Sequence, residues 1–399
     1  MGSVRPPAAL DGVRVVDLGD ELAAYAGRLL ADLGAEVIRV EPPGGATTRT
    51  AEPLIGWPEG GVSAFERFVS AGKRSLVIDT AQPEGVDELR DLLATADLVI
   101  ESPGPVLAQL GIDDVELRRL HPGIGHVVVT PFGLEHPAPW TDTDDLVLMA
   151  AGGLLHLGGY PDLGPVAAYG GLSRFAASIF GAVAALAALL DAEGGGGGSS
   201  YDVSAQECVA QALEDSAVTY ALTGTVRERQ GDRPREAGSG VYPCRDGYVS
   251  MIAGRLGTAR AWSNLVGWMV ECGSPDATEL LDPRWSSFEY RQSDEAIDRF
   301  GQLFAAFTAQ RGKQDLYRDA QARMIALSPV ATVGDVLADV QLASRDFFVD
   351  VADARVGSIR FPRAPYRLSA TPAADPRPAP ALGEADPELF GARVEEGVR

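Results

Sequence analysis

The first third of the chain alternates short apolar runs with segments of helical spacing. "VRVVDL" (13–18) predicts a strand. "ELAAYAGRLLADLG" (21–34) places Leu22, Tyr25, Leu29, Leu30 and Leu33 at helical intervals and ends on Gly34. "EVIRVE" (36–41) and "RSLVIDT" (74–80) predict further strands. "PEGVDELRDLLATA" (83–96) predicts a helix with proline near its start. "DLVIES" (97–102) and "IGHVVVT" (124–130) add two more strands. Strand–helix alternation of this kind implies right-handed crossovers and a mostly parallel sheet, in a Rossmann-like α/β domain.

The pattern then changes. The longest uncharged run, Phe175 to Leu190, is rich in alanine and short for a membrane span, and so predicts a buried core helix. "EGGGGGSS" (193–200) cannot hold a helix and predicts a flexible turn. "YDVSAQECVAQALEDSAVTYAL" (201–222) predicts that helix resumes. "GSGVYPCRDGYVSM" (238–251) predicts a hairpin turning at "RDG". Helices are expected at 295–310 and across "QDLYRDAQARMIAL" (314–327). The organisation expected is a large Rossmann-like domain over 1–225, a smaller α+β domain over 226–327, and a C-terminal segment over 328–399 whose proline-rich part, 361–384, is extended and wraps the surface.

Charge narrows the function. The 399 residues carry 34 Lys and Arg against 56 Asp and Glu, a net charge of −22. That balance repels nucleic acid and anionic membranes, so neither is an expected partner. A polyanionic ligand then needs a local basic pocket, built mostly from arginine, because Lys73 and Lys313 are the two lysines. Cys208, Cys244 and Cys272 are sparse and widely spaced, which argues for a reducing cytoplasm over a disulfide framework. The opening "MGSVRPPAAL" is too polar to be a secretory leader.

Common catalytic signatures are absent. There is no G-x-S-x-G, and no histidine or cysteine spacing that suits a metal. The first strand-to-helix turn, "DLGDELAAYAG", lacks the glycines of a dinucleotide site, so Glu41 at the end of the second strand is a weak match to a ribose-binding acid. His126 lies within a strand pattern and reads as structural, whereas His136 and His156 sit beside glycines and could line a pocket. Gly72, Lys73 and Arg74 precede a strand, where two cations and free N–H groups suit a phosphate. Asp142, Asp144 and Asp145 fall within "WTDTDDL". They read first as a helix cap, and alternatively as a general acid–base cluster.

Several segments, in order, resemble the class III coenzyme A transferases, a family that includes formyl-CoA transferase, carnitine CoA-transferase and α-methylacyl-CoA racemase. They are "LDGVRVVDLGDELAAYAGRLLADLGAEVIRVEPPGG", "GKRSLVIDTAQPEG", "ADLVIES", "LAQLGIDDVELRRLHPGIGHVVVTPFG", "GVYPCRDGYV", "LADVQLASRDFFVDV" and "PRAPYRLSATP". The resemblance implies a large and a small domain, a C-terminal segment returning to the large domain, two chains interlocked as linked rings, and CoA or acyl-CoA as substrate with no metal. By position it assigns cofactor contacts to Leu22, Ala23, Arg39, Gly72, Lys73, Arg74 and Ser102. In the transferases an aspartate attacks the thioester, forms an anhydride and then an aspartyl-CoA thioester, and passes CoA to a carboxylate.

This chain departs from that pattern where the chemistry lies. Against "ADLAAGLYAAIGILAALLA" it reads "SRFAASIFGAVAALAALLD", so Arg174 stands at the nucleophilic aspartate. Guanidinium is permanently protonated and is not a nucleophile. The racemase histidine falls at Asp144, beside the matched Asp145. The loops reading "RVLAGP" and "ENFRPG" in the family are shortened here to "DELAA" and "ESPGP", and a frequent arginine is Pro42. Three readings follow. The chain is a non-nucleophilic subunit that pairs with a catalytic homologue. Or it is an isomerase, lyase or cyclase, with or without CoA, using Asp144, Asp145 or Tyr169 for proton transfer and Arg174 to hold a carboxylate. Or it is a conventional transferase with a relocated carboxylate. As a homodimer or heterodimer, it would act on an acyl-CoA or a small carboxylate. Asp142, Asp144 and Asp145 are the expected ion-pair partners of Arg174.

Overall fold

The computed structural model describes residues 7–56, 60–136, 143–254 and 259–385. Six parallel strands form the main sheet: β1 (Arg14–Leu18), β2 (Glu36–Glu41), β3 (Arg74–Val77), β4 (Leu98–Glu101), β5 (Gly125–Thr130) and β6 (Ser200–Ser204). Their order across the sheet is β3-β2-β1-β4-β5-β6, with every neighbouring pair parallel.

Helices cover both faces, which is why the central strands read as continuous apolar runs. Successive side chains on a strand point to opposite faces. Val15, Leu98, Ile100, Val127 and Val129 meet α1 (Ala24–Asp32) and the long helix Leu172–Glu193 on one face. Val16, Ile38, Leu76 and Val99 meet Leu89, Leu92 and Leu93 of the helix Pro83–Leu93 on the other. Burying each large aliphatic side chain contributes about 1.5–3 kcal/mol.

By length and composition alone the long helix suffices to cross a membrane. Here its small residues let it lie close to the sheet. Ala177, Ala185 and Ala188 are buried, and a Cβ added at Gly181 would sit 3.2 Å from a Val129 methyl. Any larger side chain at Gly181 pushes helix and sheet apart.

Two expectations are corrected. Residues 201–222 do not simply resume helix. They begin as β6, whose Ser200 lies opposite His126, and break between helices Ala205–Gln211 and Ser216–Thr223. The glycine run turns the chain into the vacant edge of the sheet, where ladder hydrogen bonds outweigh local propensity. Likewise 314–327 is not one helix. Helix Lys313–Ala322 ends, Met324 takes a left-handed conformation at φ +57°, and Ala326–Pro329 forms a strand. Burial of Leu327 opposite Met251 accounts for that strand.

The chain separates into two compact units. One takes the described residues up to His156, Val166–Arg227, and those from Val340 onward. The other takes Leu157–Pro165 and Glu228–Asp339. The second unit thus gains a short stretch before the long helix, and extends further than the composition suggested. It holds a three-stranded antiparallel sheet, made from the hairpin Ser239–Cys244 and Gly247–Ile252 with Ala326–Pro329. This sheet packs on a core of Trp268, Trp285, Phe300, Phe304 and Phe307. In the first unit, the antiparallel pair Phe348–Asp353 and Gly357–Pro362 precedes an extended segment. That segment lies along the outer strand β3. Ala385 N donates to Ser75 O at 2.8 Å, and Gly383 N donates to Ser75 Oγ at 3.0 Å.

Candidate functional site

The strand order reverses between β1 and β4, and in an open parallel sheet a ligand crevice forms beyond the carboxyl ends of the strands at such a point. The loops leaving β1 and β4 meet there. Ser102 Oγ donates to Asp20 Oδ1 at 2.6 Å, and Leu22 N donates to the same oxygen at 3.0 Å. Asp17 Oδ1 accepts from Gly19 N at 2.9 Å and starts the turn. Ser178 Oγ, on the long helix, donates to Leu22 O at 2.6 Å. Three pieces of chain are thereby held together: the turn Gly19–Ala23, the loop after Ser102, and the first turns of the long helix. Leu22 and Ala23 face the core, so contacts to a ligand from this turn fall to its backbone and to its polar side chains.

Arg174 lies at the opening of that arrangement. Its Nη1 is 2.5 Å from Glu21 Oε2, and its guanidinium carbon is 6.0 Å from the Phe65 ring centre. The pair is partly open, with side-chain exposures of 33% and 26%. Two of the three aspartates expected as partners are otherwise placed. Asp144 caps the helix Asp145–Ala151, accepting from Val147 N at 3.0 Å. Asp145 Oδ1 accepts from both Ser173 N and Ser173 Oγ, at 2.9 and 2.7 Å, and so caps the long helix. Asp142 lies outside the described residues. Short carboxylates are claimed by the free N–H groups of helix starts, and the longer Glu21 reaches the guanidinium instead. Tyr169 is 96% exposed.

The cations expected to greet a phosphate are mostly committed inside the protein. Lys73 Nζ is fully enclosed, 2.6 Å from both Asp17 Oδ2 and Ala24 O. Burial pushes its pKa below the ordinary lysine value, against the pull of Asp17. Arg39 is buried too, donating to Glu66 at 2.8 Å, to Thr48 at 2.6 Å, and to Ser70. Arg74 pairs with Glu36 at the amino end of β3, away from the switch-point loops. Gly72, at φ +80°, gives its carbonyl to Arg377. Glu41 is buried. It is gripped by Arg49, Ser75 and the Ala46 N–H. Burial would raise its pKa, but these partners hold it down at about 2.

Beside the switch point a crevice of about 410 Å3 opens between Pro103–Gln109 and Thr130–His136. Pro105, Val106, Phe132 and Leu134 give it apolar walls. His136 lines it, and the buried Nδ1 of that ring has no hydrogen-bond partner among the described residues. His156 sits instead in the short helix Leu154–Leu157. His126, on β5, lies 2.8 Å from both Glu101 and Asp114. Burial alone would lower its pKa, but the two carboxylates hold it above the usual histidine value. Among the described residues no group of acidic, histidine or cysteine side chains is placed to hold a metal.

An open parallel α/β sheet with a crevice beside its switch point defines the class, and comparison with known proteins supplies the family. Residues 10–386 match the family model for CoA-transferase family III, so the chain belongs to that family. It is 34% identical over 381 residues to succinyl-CoA:(R)-benzylsuccinate CoA-transferase subunit BbsE of Thauera aromatica, covering 94% of this chain and 92% of that one. It is 32% identical to succinyl-CoA–D-citramalate CoA-transferase of Chloroflexus aurantiacus, covering 98% and 95%. A CAIB/BAIF family protein from Brucella suis superposes with a TM-score of 0.84 at 27% identity, covering 95% and 97%.

Of the residues singled out from the sequence, the fold brings Arg174, Ser102, Leu22 and Ala23 close together. Sequence reasoning missed Glu21, although that residue lies within the shortened "DELAA" loop. A carboxylate in the loop facing a misplaced cation was the available signal. Asp17 and Asp20 left no such signal, because their roles depend on strands and loops distant in the chain.

Proposed function

We propose that this chain is the non-nucleophilic subunit of a class III CoA-transferase, paired with a homologous chain that supplies the aspartate. The observation that carries the reading is the Arg174–Glu21 ion pair at the opening of the long helix. A cation stands at the place of the attacking carboxylate, and it can neither attack a thioester nor accept a proton. The name of the Thauera aromatica relative, a subunit, supports such an assembly. The exposed apolar residues Ile179, Phe180, Val183 and Leu190 of the long helix are consistent with association, here as interlocked chains. On this reading the 410 Å3 crevice and the loops after β1 and β4 receive part of the CoA thioester, and the protein works in a reducing cytoplasm.

The test is native purification from the source cell, followed by acyl-CoA and hydroxylamine trapping on the isolated chain and on the complex. A stoichiometric homologous partner, with the trapped carboxylate on that partner, is expected. A homodimer of this chain that transfers CoA alone refutes the reading. The relocated-carboxylate alternative falls on Glu21, the acid nearest Arg174, and a hydroxamate on Glu21 would establish it.

A further inference from the structure

We infer that Arg174 receives the free carboxylate of a short dicarboxylic acyl group, and that Glu21 occupies this position until the group arrives. The inference rests on the CoA-transferase reading above, but not on the existence of a partner chain. A transfer of CoA to a diacid converts one carboxylate into a thioester and leaves the other ionised. That second charge needs a cation wherever the site excludes water. The relatives named above act, by their names, on succinyl, benzylsuccinate and citramalate groups, each derived from a dicarboxylic acid.

Arg174 is suited to that role. Guanidinium offers five N–H donors, and one carboxylate takes at most two, so Glu21 leaves donors over. About a third of the Arg174 side chain faces solvent, so an external carboxylate reaches it without unfolding the loop. Glu21 is itself partly exposed, and its release to water is cheap, as for other exposed ion pairs. Phe65 lies beside the guanidinium, and the next residue, Phe175, joins Tyr25 and Phe68 in an aromatic cluster with ring centres 5.1–6.2 Å apart. The Phe65 ring beside the cation suits a short methylene chain ending in a carboxylate. Asp145 fixes the adjacent Ser173, so the backbone that carries Arg174 is held in place.

The exchange makes an unusual prediction: removing Glu21 should improve binding. Monomethyl succinate is the probe, its ester standing for the thioester end and its free carboxylate for the far end. Dimethyl succinate, which has no charge, is the control. Binding to the purified chain is followed by titration calorimetry and saturation-transfer NMR. Monomethyl succinate is expected to bind and dimethyl succinate to fail. Arg174→Ala should weaken binding about 10- to 100-fold, the effect of losing a charged hydrogen-bond partner. Glu21→Gln should tighten it, by several-fold to about tenfold, and should leave the melting temperature near that of the parent. Arg174→Gln, which keeps the length of the side chain, guards against a folding defect in the alanine variant. Equal binding by the parent and both Arg174 variants would overturn the inference, as would weaker binding by Glu21→Gln. Those results would leave the subunit reading standing, whereas a self-sufficient homodimer would remove that reading and leave the carboxylate site intact.

Discussion

Lys73→Met removes the charge but keeps most of the side chain's length and volume, so it isolates electrostatics from packing. In the parent, Lys73 and Asp17 have side-chain exposures of 0% and 0%, with Nζ–Oδ2 at 2.6 Å. Methionine leaves the Asp17 carboxylate buried, with Gly19 N still donating to its other oxygen. Breaking a buried pair on one side costs about 3–5 kcal/mol, because a desolvated charge loses its partner. That is a large part of the roughly 5–15 kcal/mol that holds a typical domain together. At about 2–4 °C per kcal/mol for units of this size, the melting temperature should fall by roughly 6–20 °C. The double variant Asp17→Asn with Lys73→Met removes both charges and keeps an acceptor for Gly19 N, so it should recover much of the loss. Scanning calorimetry and urea titration of the three proteins measure this. A Lys73→Met loss below about 1 kcal/mol, or a double variant as unstable as the single, would refute the buried-pair argument.

Three further outcomes follow from other parts of the molecule. Asp145→Ala removes both acceptor contacts to Ser173 and should destabilise by about 1 kcal/mol, with local hydrogen exchange faster at Leu172–Phe175. Burial raises the Asp32 pKa to about 6, with Arg28 only partly opposing. Its ionisation therefore costs stability as pH rises from about 4 through 6, and Asp32→Asn should gain on the parent by about 2 kcal/mol more at pH 8 than at pH 4.5 in urea titrations. His126 acts in the same direction, over a higher pH window. Its raised pKa contributes stability that is fully present below pH 6.5 and is lost as pH rises through the higher folded value, so His126→Gln should flatten that segment of the stability–pH curve.

How much of this was legible beforehand differs by element. The helix over Phe175–Leu190 and the hairpin at "RDG" follow from local spacing, and the structure forms both. Strand β6 was illegible because "SYDVS" is short and only weakly apolar. Its pairing with β5 is what makes it a strand. The ion-pair partner of Arg174 was mistaken for the same kind of reason. Nearby aspartates looked available in the chain, but helix starts had already engaged those whose positions are described.

The amino-acid sequence by itself determined the α/β class, the membership of a CoA-transferase family, and the cation at residue 174. Periodicity and residue identity are local properties, and each can be read one position at a time. Only the tertiary structure decided which charges face a ligand. It enclosed Lys73, which had looked ready for phosphate, and Arg39, expected as a cofactor contact, and left Arg174 partly open opposite Glu21. The physical reason is desolvation. Whether a cation is spent on an internal carboxylate or offered outward depends on what packs around it, and those neighbours come from strands and helices far apart in the chain.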